Sequence, residues 1–485
     1  IMNRNTNAHF SETPTVGIAR SKFDRSFTHK STFNAGELVP FFFDATVQPG
    51  DTIKMDMAEV VRMMTPITPV MDNANLDTYF FFVPYRLIWE HLKEFFGEND
   101  TAPWTQTTEY TIPQISAPTG GWTKGSLADH FGWPTNVGNY KASALGFRAY
   151  AKIVNDWFRD ENLKNPLYIH EGDADITGVD ILDANLDPVT DIEKGACCFK
   201  VAKTHDFFTS CLPQPQKGPA VNIPVGTEAP VVFKTPDYAH AGLSTQPALE
   251  GQLFEITAQG GGSTNFSYGY DPDNTPPQTL LSNGSYMNLV TDLSEAVGAT
   301  INAMRQAFAV QRYYEKQALY GTRYIEWVRG HFQVQNPDFR LQRSEYLGGF
   351  RQPININQVV QTDATSQQLG GKYESGTWVW EMSDLSPQGN TAAYSLTSGR
   401  NEGLFTHSFT EHGIVLGLAC VRLASHTYQQ GLNAMWSMKK FTDFYVPEFA
   451  NLGNMPVKNK EIYLQGSTVV DTDGNIIDDQ VFGYQ

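Results

Sequence analysis

The sequence predicts a mainly β protein, a β sandwich that carries long helical and loop insertions. Short apolar segments with strand periodicity occur near both ends of the chain, and amphipathic helical patterns interrupt them. A stretch at 225–290, rich in Gly, Pro, Ser, Thr and Asn, has only short apolar runs. Strands that are scattered in this way and joined by long excursions are typical of a sandwich with insertions.

Three strands are predicted in the first hundred residues. Residues 38–43 form a dense apolar run, which a Pro-Gly turn signal follows at 49–50. Apolar and polar residues alternate over 52–57, which indicates a half-buried strand. Residues 77–83 (DTYFFFV) are apolar and aromatic enough to predict a strand that is buried on both faces.

Two helices are predicted between the strands. Apolar side chains recur every four residues from Leu145 to Trp157, which predicts an amphipathic helix over about 142–161. A longer helix is predicted over about 293–320. Its apolar stripe includes Val297, Ile301, Met304, Phe308 and Leu319.

Strands return in the last third of the chain. Runs of strand-forming residues predict strands at 377–382, 414–424 and 461–464. Apolar pairs at 469–470 and 476–477 flank the sequence DTDGN, which predicts a hairpin.

The composition indicates a large core and a surface with few charges. Hydrophobic residues make up 41% of the chain, aromatic residues 13% and charged residues 18%, and the net charge is −17. Low charge with many aromatics suits a subunit that neighbours cover. Phosphate contacts need local Lys and Arg, so nucleic-acid binding would require a local basic strip or a separate basic partner.

The four cysteines are too few and too unevenly spaced for a disulfide framework, and free thiols are expected at Cys197, Cys198, Cys211 and Cys420. No apolar run approaches the roughly 18 residues that span a bilayer, and the polar start does not resemble a signal peptide. We therefore expect a soluble protein, made inside a cell, with no membrane insertion and no cofactor.

A first basic feature lies in the N-terminal arm, residues 1–36. The arm has five basic and two acidic residues, a local charge of +3. Its cations Arg20, Lys22, Arg25 and Lys30 are interleaved with Phe23, Phe27 and His29. Cations beside aromatic rings suit single-stranded nucleic acid, which offers phosphates and unstacked bases together. The alternative is an arm that ties neighbouring subunits together through the same aromatics.

A second basic feature lies on the longer predicted helix. Arg305, Arg312, Lys316 and Arg323 are spaced so that all four share one narrow stripe, provided that the helix continues through Gly321. The stripe is interpreted either as a solvated or ion-paired face, or as an inward face that contacts nucleic acid.

No catalytic constellation is found, and an enzyme is not predicted. The chain has no G-x-S-x-G and no phosphate-binding loop motif, and His170-Glu171 lacks the second His of a zinc motif because residue 174 is Ala. The acidic stretch 171–193 offers the best metal candidates, Asp173 and Asp175. The twelfth position of that calcium-like loop is Ala184, which has no side-chain oxygen, so a solvated acidic loop is the main alternative.

One stretch resembles a known family. Residues 71–91 read MDNANLDTYFFFVPYRLIWEH, which is similar to the major capsid proteins of the gokushovirus branch of the Microviridae. Five further stretches support the resemblance in the family's order: 38–52, 341–349, 409–422, 427–436 and 451–463. The resemblance spans nearly the whole chain except 225–290, where the family is variable. Members typically continue beyond the VFGYQ that ends this chain, so a further C-terminal segment is expected.

The resemblance implies an eight-stranded antiparallel jelly roll of the viral capsid type. It implies a T=1 icosahedral shell of sixty copies around a circular single-stranded DNA, assembled in a bacterial cytoplasm. Four segments are then expected: an interior or intersubunit arm (1–36), the first part of the core (37–224), an outward-projecting insertion (225–290), and the long helix with the second part of the core (291–485).

The implied partners are other copies of the chain, the genome, a small basic DNA-binding virion protein, a pilot or minor virion protein, and a host cell-surface receptor. Aromatic residues of the insertion are candidates for host attachment, or alternatively pack within the projection. These residues are Phe254, Phe266, Tyr268, Tyr270 and Tyr286.

Two other classes of protein remain open from the residues alone. A carbohydrate-binding or carbohydrate-cleaving β sandwich would need a groove with stacked aromatics, and paired acids if it were hydrolytic. A secreted structural β protein is disfavoured because the chain starts without a signal peptide pattern.

Overall fold

The structure is a computed structural model. It describes residues 17, 19–64, 72–98, 109–221, 231–233, 289–291, 301–321, 323–340, 342–358, 366–374, 377–384, 394–423, 428, 430–449 and 453–485. The chain forms two compact units: the first combines Ile1–Gln214 with Gly321–Gln485, and the second is Pro215–Tyr320. The four segments expected from the sequence stay a prediction.

Strands are the main regular secondary structure among the described residues. They are β1 (Val39–Val47), β2 (Thr52–Arg62), β3 (Ala74–Pro84), β4 (Gln114–Ser116), β5 (Lys141–Ser143), β6 (Ile176–Thr177), β7 (Val231–Phe233), β8 (Leu289–Thr291), β9 (Glu345–Ile354), β10 (Ile356–Gln358), β11 (Ser366–Glu374), β12 (Thr377–Asp384), β13 (Tyr394–Ser408), β14 (Gly413–Leu423), β15 (Pro456–Lys458) and β16 (Val481–Tyr484). The helices are α1 (Leu92–Phe95), α2 (Leu127–His130), α3 (Leu145–Ile153), α4 (Pro188–Asp191), α5 (Ile301–Tyr320), α6 (Tyr324–Phe332) and α7 (Asn459–Ile462).

Two antiparallel sheets form the centre of the first unit. The larger has the strand order β1-β14-β3-β9, and the smaller has the order β10-β13-β2. Smaller groups are the β11–β12 and β15–β16 pairs and the mixed sheet β5-β4-β6. The fold is therefore mainly β and antiparallel with several helices, as the sequence predicts.

The larger sheet is buried on both faces. On one face, Phe80 and Phe82 of β3 pack with Phe405 of β13 and with apolar side chains of β2. On the other face, Phe81 and Val83 pack in a larger core that contains most of α3. Successive side chains of a strand point to opposite faces, so this arrangement explains why residues 77–83 are almost continuously apolar. The predictions of a fully buried strand here and a half-buried β2 are confirmed.

Helix α3 confirms the first predicted helix with a later start. Residues 142 and 143, which the prediction placed in the helix, belong to β5 instead. After Ile153 the helix continues as a π-helical turn over Val154–Phe158. The buried Tyr150 joins the helix to the sheet region, because its hydroxyl donates to the Leu38 carbonyl at 2.7 Å and accepts from the Phe199 amide at 2.9 Å.

Two predictions near the end of the chain need comment. Residues 461–464 were predicted as a strand, but α7 ends at Ile462, so the prediction is wrong. The helical turn forms here because the Glu461 carboxylate caps its start, accepting from the Lys458 amide at 2.9 Å. The predicted hairpin turn at 471–475 is confirmed, although its pairing is limited to one bridge between Val470 and Ile476.

The second unit contains α5 and the antiparallel β7–β8 pair. The predicted long helix is confirmed over Ile301–Tyr320, and residues 292–300 lie outside the described residues. The helix ends at Tyr320 as predicted, and the continuation through Gly321 on which the four-residue stripe depended does not occur, because Gly321 has a φ of +88°, a left-handed conformation that ends an α-helix. A separate helix, α6, begins at Tyr324. No helix among the described residues is long and apolar enough to span a membrane.

Candidate interaction surfaces

The arm lies against its own subunit. Residues 19–34 have no regular secondary structure, and nearly all of them are exposed. Arg20 donates to the Gly50 carbonyl at 2.8 Å, and Arg25 forms an ion pair with Asp44 at 2.6 Å. Two of the four DNA-contact cations predicted in the arm are thus engaged: Arg25 with the middle of β1, and Arg20 with the turn that follows the strand.

The rest of the arm keeps free cations beside exposed rings. Phe23 is 77% exposed, and Phe27, also exposed, contacts the Phe42 ring at a centroid distance of 5.6 Å. Lys22 and Lys30 are exposed, and neither forms an ion pair within the described part of the chain. The geometry is compatible with both interpretations of the arm, genome contact and subunit tether.

The basic stripe on α5 has three members rather than four. Arg305, Arg312 and Lys316 are exposed, and at 100° per residue they fall within about 40° of one another around the helix. We call these three residues the α5 stripe. Their contact with DNA stays a prediction.

Arg323 belongs to a different environment. Its guanidinium pairs with Glu161 at 2.5 Å and donates to the Asn155 carbonyl at 2.8 Å, and the side chain is only 20% exposed. Glu326 also pairs with Arg323, and burial together with the neighbouring Glu161 raises the pKa of Glu326. The sequence grouped Arg323 with the stripe because it assumed a continuous helix, and that grouping is wrong.

The two metal candidates hold the acidic loop in place. Asp173 accepts from the Trp89 indole at 2.7 Å and pairs with His91 at 2.9 Å. Asp175 accepts from the Gln114 amide at 3.0 Å and pairs with Lys141 at 2.8 Å, and the bond from Lys141 lowers the pKa of Asp175. Among the described residues, no three His, Cys, Asp or Glu side chains are grouped to hold a metal ion.

A charged network that the sequence did not reveal links three strands of the larger sheet. Asp77 of β3 is 2% exposed and pairs with Arg351 of β9 and Arg422 of β14, each at 2.6 Å. Burial alone would raise the pKa of Asp77, but the bonds and charges of the two arginines outweigh it, so the pKa is lowered. The one signal in the sequence was a carboxylate inside an aromatic strand, because a buried charge requires partners.

A second buried charge pair joins α3 to the acidic loop. Arg148 is fully buried and donates to the Ile88 and Gly172 carbonyls at 3.2 and 3.0 Å. Its partner Glu193 accepts from the His170 amide at 2.7 Å, and burial raises the pKa of Glu193. Backbone atoms bind both Nη groups of Arg148 and one oxygen of Glu193, while the Arg148 Nε, which has no hydrogen-bond partner among the described residues, lies 3.8 Å from the Glu193 carboxylate.

The cysteines are free thiols in this structure, as predicted. Burial raises the pKa of Cys197 to about 11 and that of Cys420 to about 12, so both are protonated near neutral pH. A thiol is a poor nucleophile in that state.

The most conspicuous exposed apolar surface lies at residues 433–445, which we call the Trp436 segment. Trp436 is 75% exposed and Tyr445 is 81% exposed. The exposed large apolar side chains of the segment are Met435, Trp436, Met438, Phe441, Phe444 and Tyr445. Such a concentration is typical of an interaction site. The host-attachment candidates Phe254, Phe266, Tyr268, Tyr270 and Tyr286 lie outside the described residues.

Comparison with known proteins shows the family. A sequence model of the family described as capsid protein (F protein) matches residues 11–485. The chain is 40% identical to capsid protein VP1 of Bdellovibrio phage phiMH2K, over 99% of this chain and 82% of that relative. It is 38% identical to capsid protein VP1 of Chlamydia phage 1 (98% and 83%) and 39% identical to that of Spiroplasma virus 4 (96% and 79%). This chain therefore belongs to the F protein family of phage capsid proteins.

Proposed function

We propose that the protein is the major capsid subunit of a gokushovirus-type phage of the Microviridae, and that sixty copies form a closed T=1 shell around a circular single-stranded DNA. The observation that carries this proposal is the large apolar surface that one copy leaves exposed, above all the Trp436 segment. Burial of apolar area is the main driving force of association. The role is structural rather than catalytic.

The strand order supports a jelly roll. The chain passes from the larger sheet (β1) to the smaller sheet (β2) and back (β3), and it crosses again between β13 and β14. The first long strand, β1, pairs with the last long strand, β14. This alternation between two facing sheets is what a jelly roll requires. We propose that the larger sheet is one of its two four-stranded sheets.

Electron microscopy of the purified protein tests the shell directly. We expect uniform small spheres, because repeated weak contacts between identical copies close into a shell of fixed size. Monomers, or open filaments without closure, would contradict the proposal.

We propose that the arm and the α5 stripe contact the genome. The chain has a net charge of −17, so its few local cations would leave most phosphates to a small basic virion protein. Each lost phosphate contact lowers the salt dependence of single-strand binding by roughly 0.7 in log–log slope. Replacing Lys22 and Lys30 with Gln should therefore lower the slope by about 1.4, in titrations of a single-stranded oligonucleotide.

The matched control for the arm is Lys124→Gln, which removes an exposed lysine elsewhere in the first unit. Its salt slope should equal that of the unchanged protein. If the arm variant and the control have the same slope, the arm acts as a subunit tether and does not contact DNA. The same titration with Arg305, Arg312 and Lys316 replaced by Gln tests the α5 stripe.

We further propose that the insertion at 225–290 projects from the shell and supplies attachment to a host receptor, and that a pilot or minor protein completes the virion. Assembly would take place in the cytoplasm of a bacterial host. Deleting residues 230–285 should give particles that form but adsorb poorly to host cells. Unimpaired adsorption would refute the attachment role.

A further inference from the structure

The Trp436 segment has a backbone that is satisfied by its own local bonds. Asn433 caps the 3₁₀ turn Ala434–Ser437, accepting from the Met435 amide at 2.9 Å. Asp443 accepts from the Lys439 and Lys440 amides at 2.7 and 2.8 Å. The conformation therefore does not depend on burying the apolar side chains. They project from a turn structure that is complete without them.

The exposed area of the segment is sufficient for a specific contact. An aromatic side chain offers roughly 200 Å², so the four exposed aromatics present on the order of 500 Å². A standard protein interface buries about 800 Å² on each partner. The segment alone would supply most of one side of such an interface.

The charges of the segment indicate what kind of surface covers it. Lys439 and Lys440 lie between the exposed rings, and within the described residues no carboxylate forms an ion pair with either ammonium group. Asp443, the acidic residue between them and Tyr445, accepts from two backbone amides, and the Lys440 charge acts on it from beyond ion-pair distance. A complementary surface would combine exposed apolar side chains with carboxylates that have no cationic partner.

Residues 180–187, the middle of the acidic loop (171–193), have both exposed apolar side chains and carboxylates without a cationic partner among the described residues. Ile181 and Leu182 are exposed, and Asp183 and Asp187 beside them are exposed carboxylates. In the described part of the chain, Lys and Arg form no ion pair with these two aspartates; the Asp183 carboxylate accepts from the Asn185 amide and the Asp187 carboxylate from the Val189 amide. By contrast, Asp479 near the C-terminal end of the chain is already paired with Lys458 and Lys460.

We propose that the Trp436 segment of one copy binds the acidic loop of a second copy, with Lys439 and Lys440 facing Asp183 and Asp187 across the contact. The inference rests on the proposed function and assigns one of its subunit contacts. A contact between two different patches propagates around a ring, as a closed shell requires. A twofold contact between two Trp436 segments would instead bring four lysines together, which like-charge repulsion disfavours.

Charge reversal tests the pairing. Replacing Lys439 and Lys440 with Glu should weaken self-association at least tenfold in sedimentation velocity. Adding Asp183→Lys and Asp187→Lys to the same chain should restore association. The control Lys124→Glu with Lys203→Glu makes the same change in net charge at exposed lysines elsewhere and should leave association unchanged.

Cross-linking supplies a second readout, which does not depend on the stability of the loop variants. A Trp436→Cys chain mixed with a Leu182→Cys chain should form an intermolecular disulfide on mild oxidation, and neither chain should form it alone. The inference is overturned, and the proposed function stands, under three results together. The unchanged protein associates; the lysine variant associates equally well, or its association is not restored by the aspartate changes; and the mixture forms no disulfide. If the unchanged protein never associates, both fail.

Discussion

At the scale of single residues, the structure uses buried charge in two opposite ways. Asp77 is buried with two arginine partners, whereas Glu59 is 8% exposed and neither of its carboxylate oxygens has a hydrogen-bond partner among the residues that the structure describes. Glu59 lies on the inner face of β2, beside Gly399 of β13, where a β-carbon would meet its carboxylate. A side chain at position 399 would therefore displace the Glu59 carboxylate, and the sequence alone could not reveal either environment.

We predict that Glu59→Gln stabilises the first unit at neutral pH. Burial raises the pKa of Glu59, so its contribution to stability is present below the pKa of the unfolded chain, about 4.3, and is lost as pH rises through the folded value. Glutamine carries no charge at any pH. Urea unfolding should show a gain of about 1 kcal/mol at pH 7 that disappears near pH 4.

Glu402→Gln is the control for this experiment, since Glu402 is largely exposed and its change should have little effect. An equal loss of stability for Glu59→Gln at pH 4 and pH 7 would show that the buried carboxylate is not an electrostatic cost.

We predict the opposite pH dependence for Asp77→Asn. The pKa of Asp77 is lowered, so its contribution is present above the unfolded value, about 3.9, and is lost as pH falls through the folded value. The amide leaves Arg351 and Arg422 without a counter-charge, which should cost about 3 kcal/mol at pH 7 and much less near pH 2. Equilibrium unfolding with Asp473→Asn as an exposed control checks this, and a cost that does not depend on pH would contradict it.

At the scale of elements, residue periodicity predicted the central parts well and the ends poorly. β3, β14 and α3 were predicted because burial on one or both faces imposes a pattern that local sequence shows. Helix α6 and the turn of α7 were not predicted, because each depends on one local feature: the left-handed Gly321 that precedes α6, and the cap at Glu461 of α7. The partners of Asp77 could not be predicted, because they are about 270 and 345 residues away in sequence.

We predict that Gly321→Ala destabilises the first unit. The residue has a φ of +88°, and an added β-carbon would lie 2.3 Å from the Glu326 carboxylate. The left-handed conformation costs a non-glycine residue roughly 1 to 2 kcal/mol, and the displaced carboxylate adds to that cost. Thermal unfolding should show a lower Tm, whereas Gly17→Ala, where the added carbon meets no atom of the described residues within 4 Å, should leave it unchanged. An unchanged Tm for Gly321→Ala would mean that the chain relaxes into a continuous helix.

At the scale of the whole molecule, the family and the distribution of apolar surface lead to the same account. The described residues contain two well-packed apolar clusters on the two faces of the larger sheet, yet the Trp436 segment and one side of α5 leave large apolar side chains in solvent. A chain that needed only to fold would gain nothing from that exposure. Copies of the same chain are the partners that a capsid subunit meets most often.

The mass of the purified particle tests self-association most directly. We predict a dominant species of about 3.2 MDa, which corresponds to sixty copies of a 54.1 kDa chain, and few intermediates because the contacts act together only when the shell closes. Mass photometry at physiological ionic strength measures this. A protein that remains at 54.1 kDa across protein concentration, pH and salt would contradict the account.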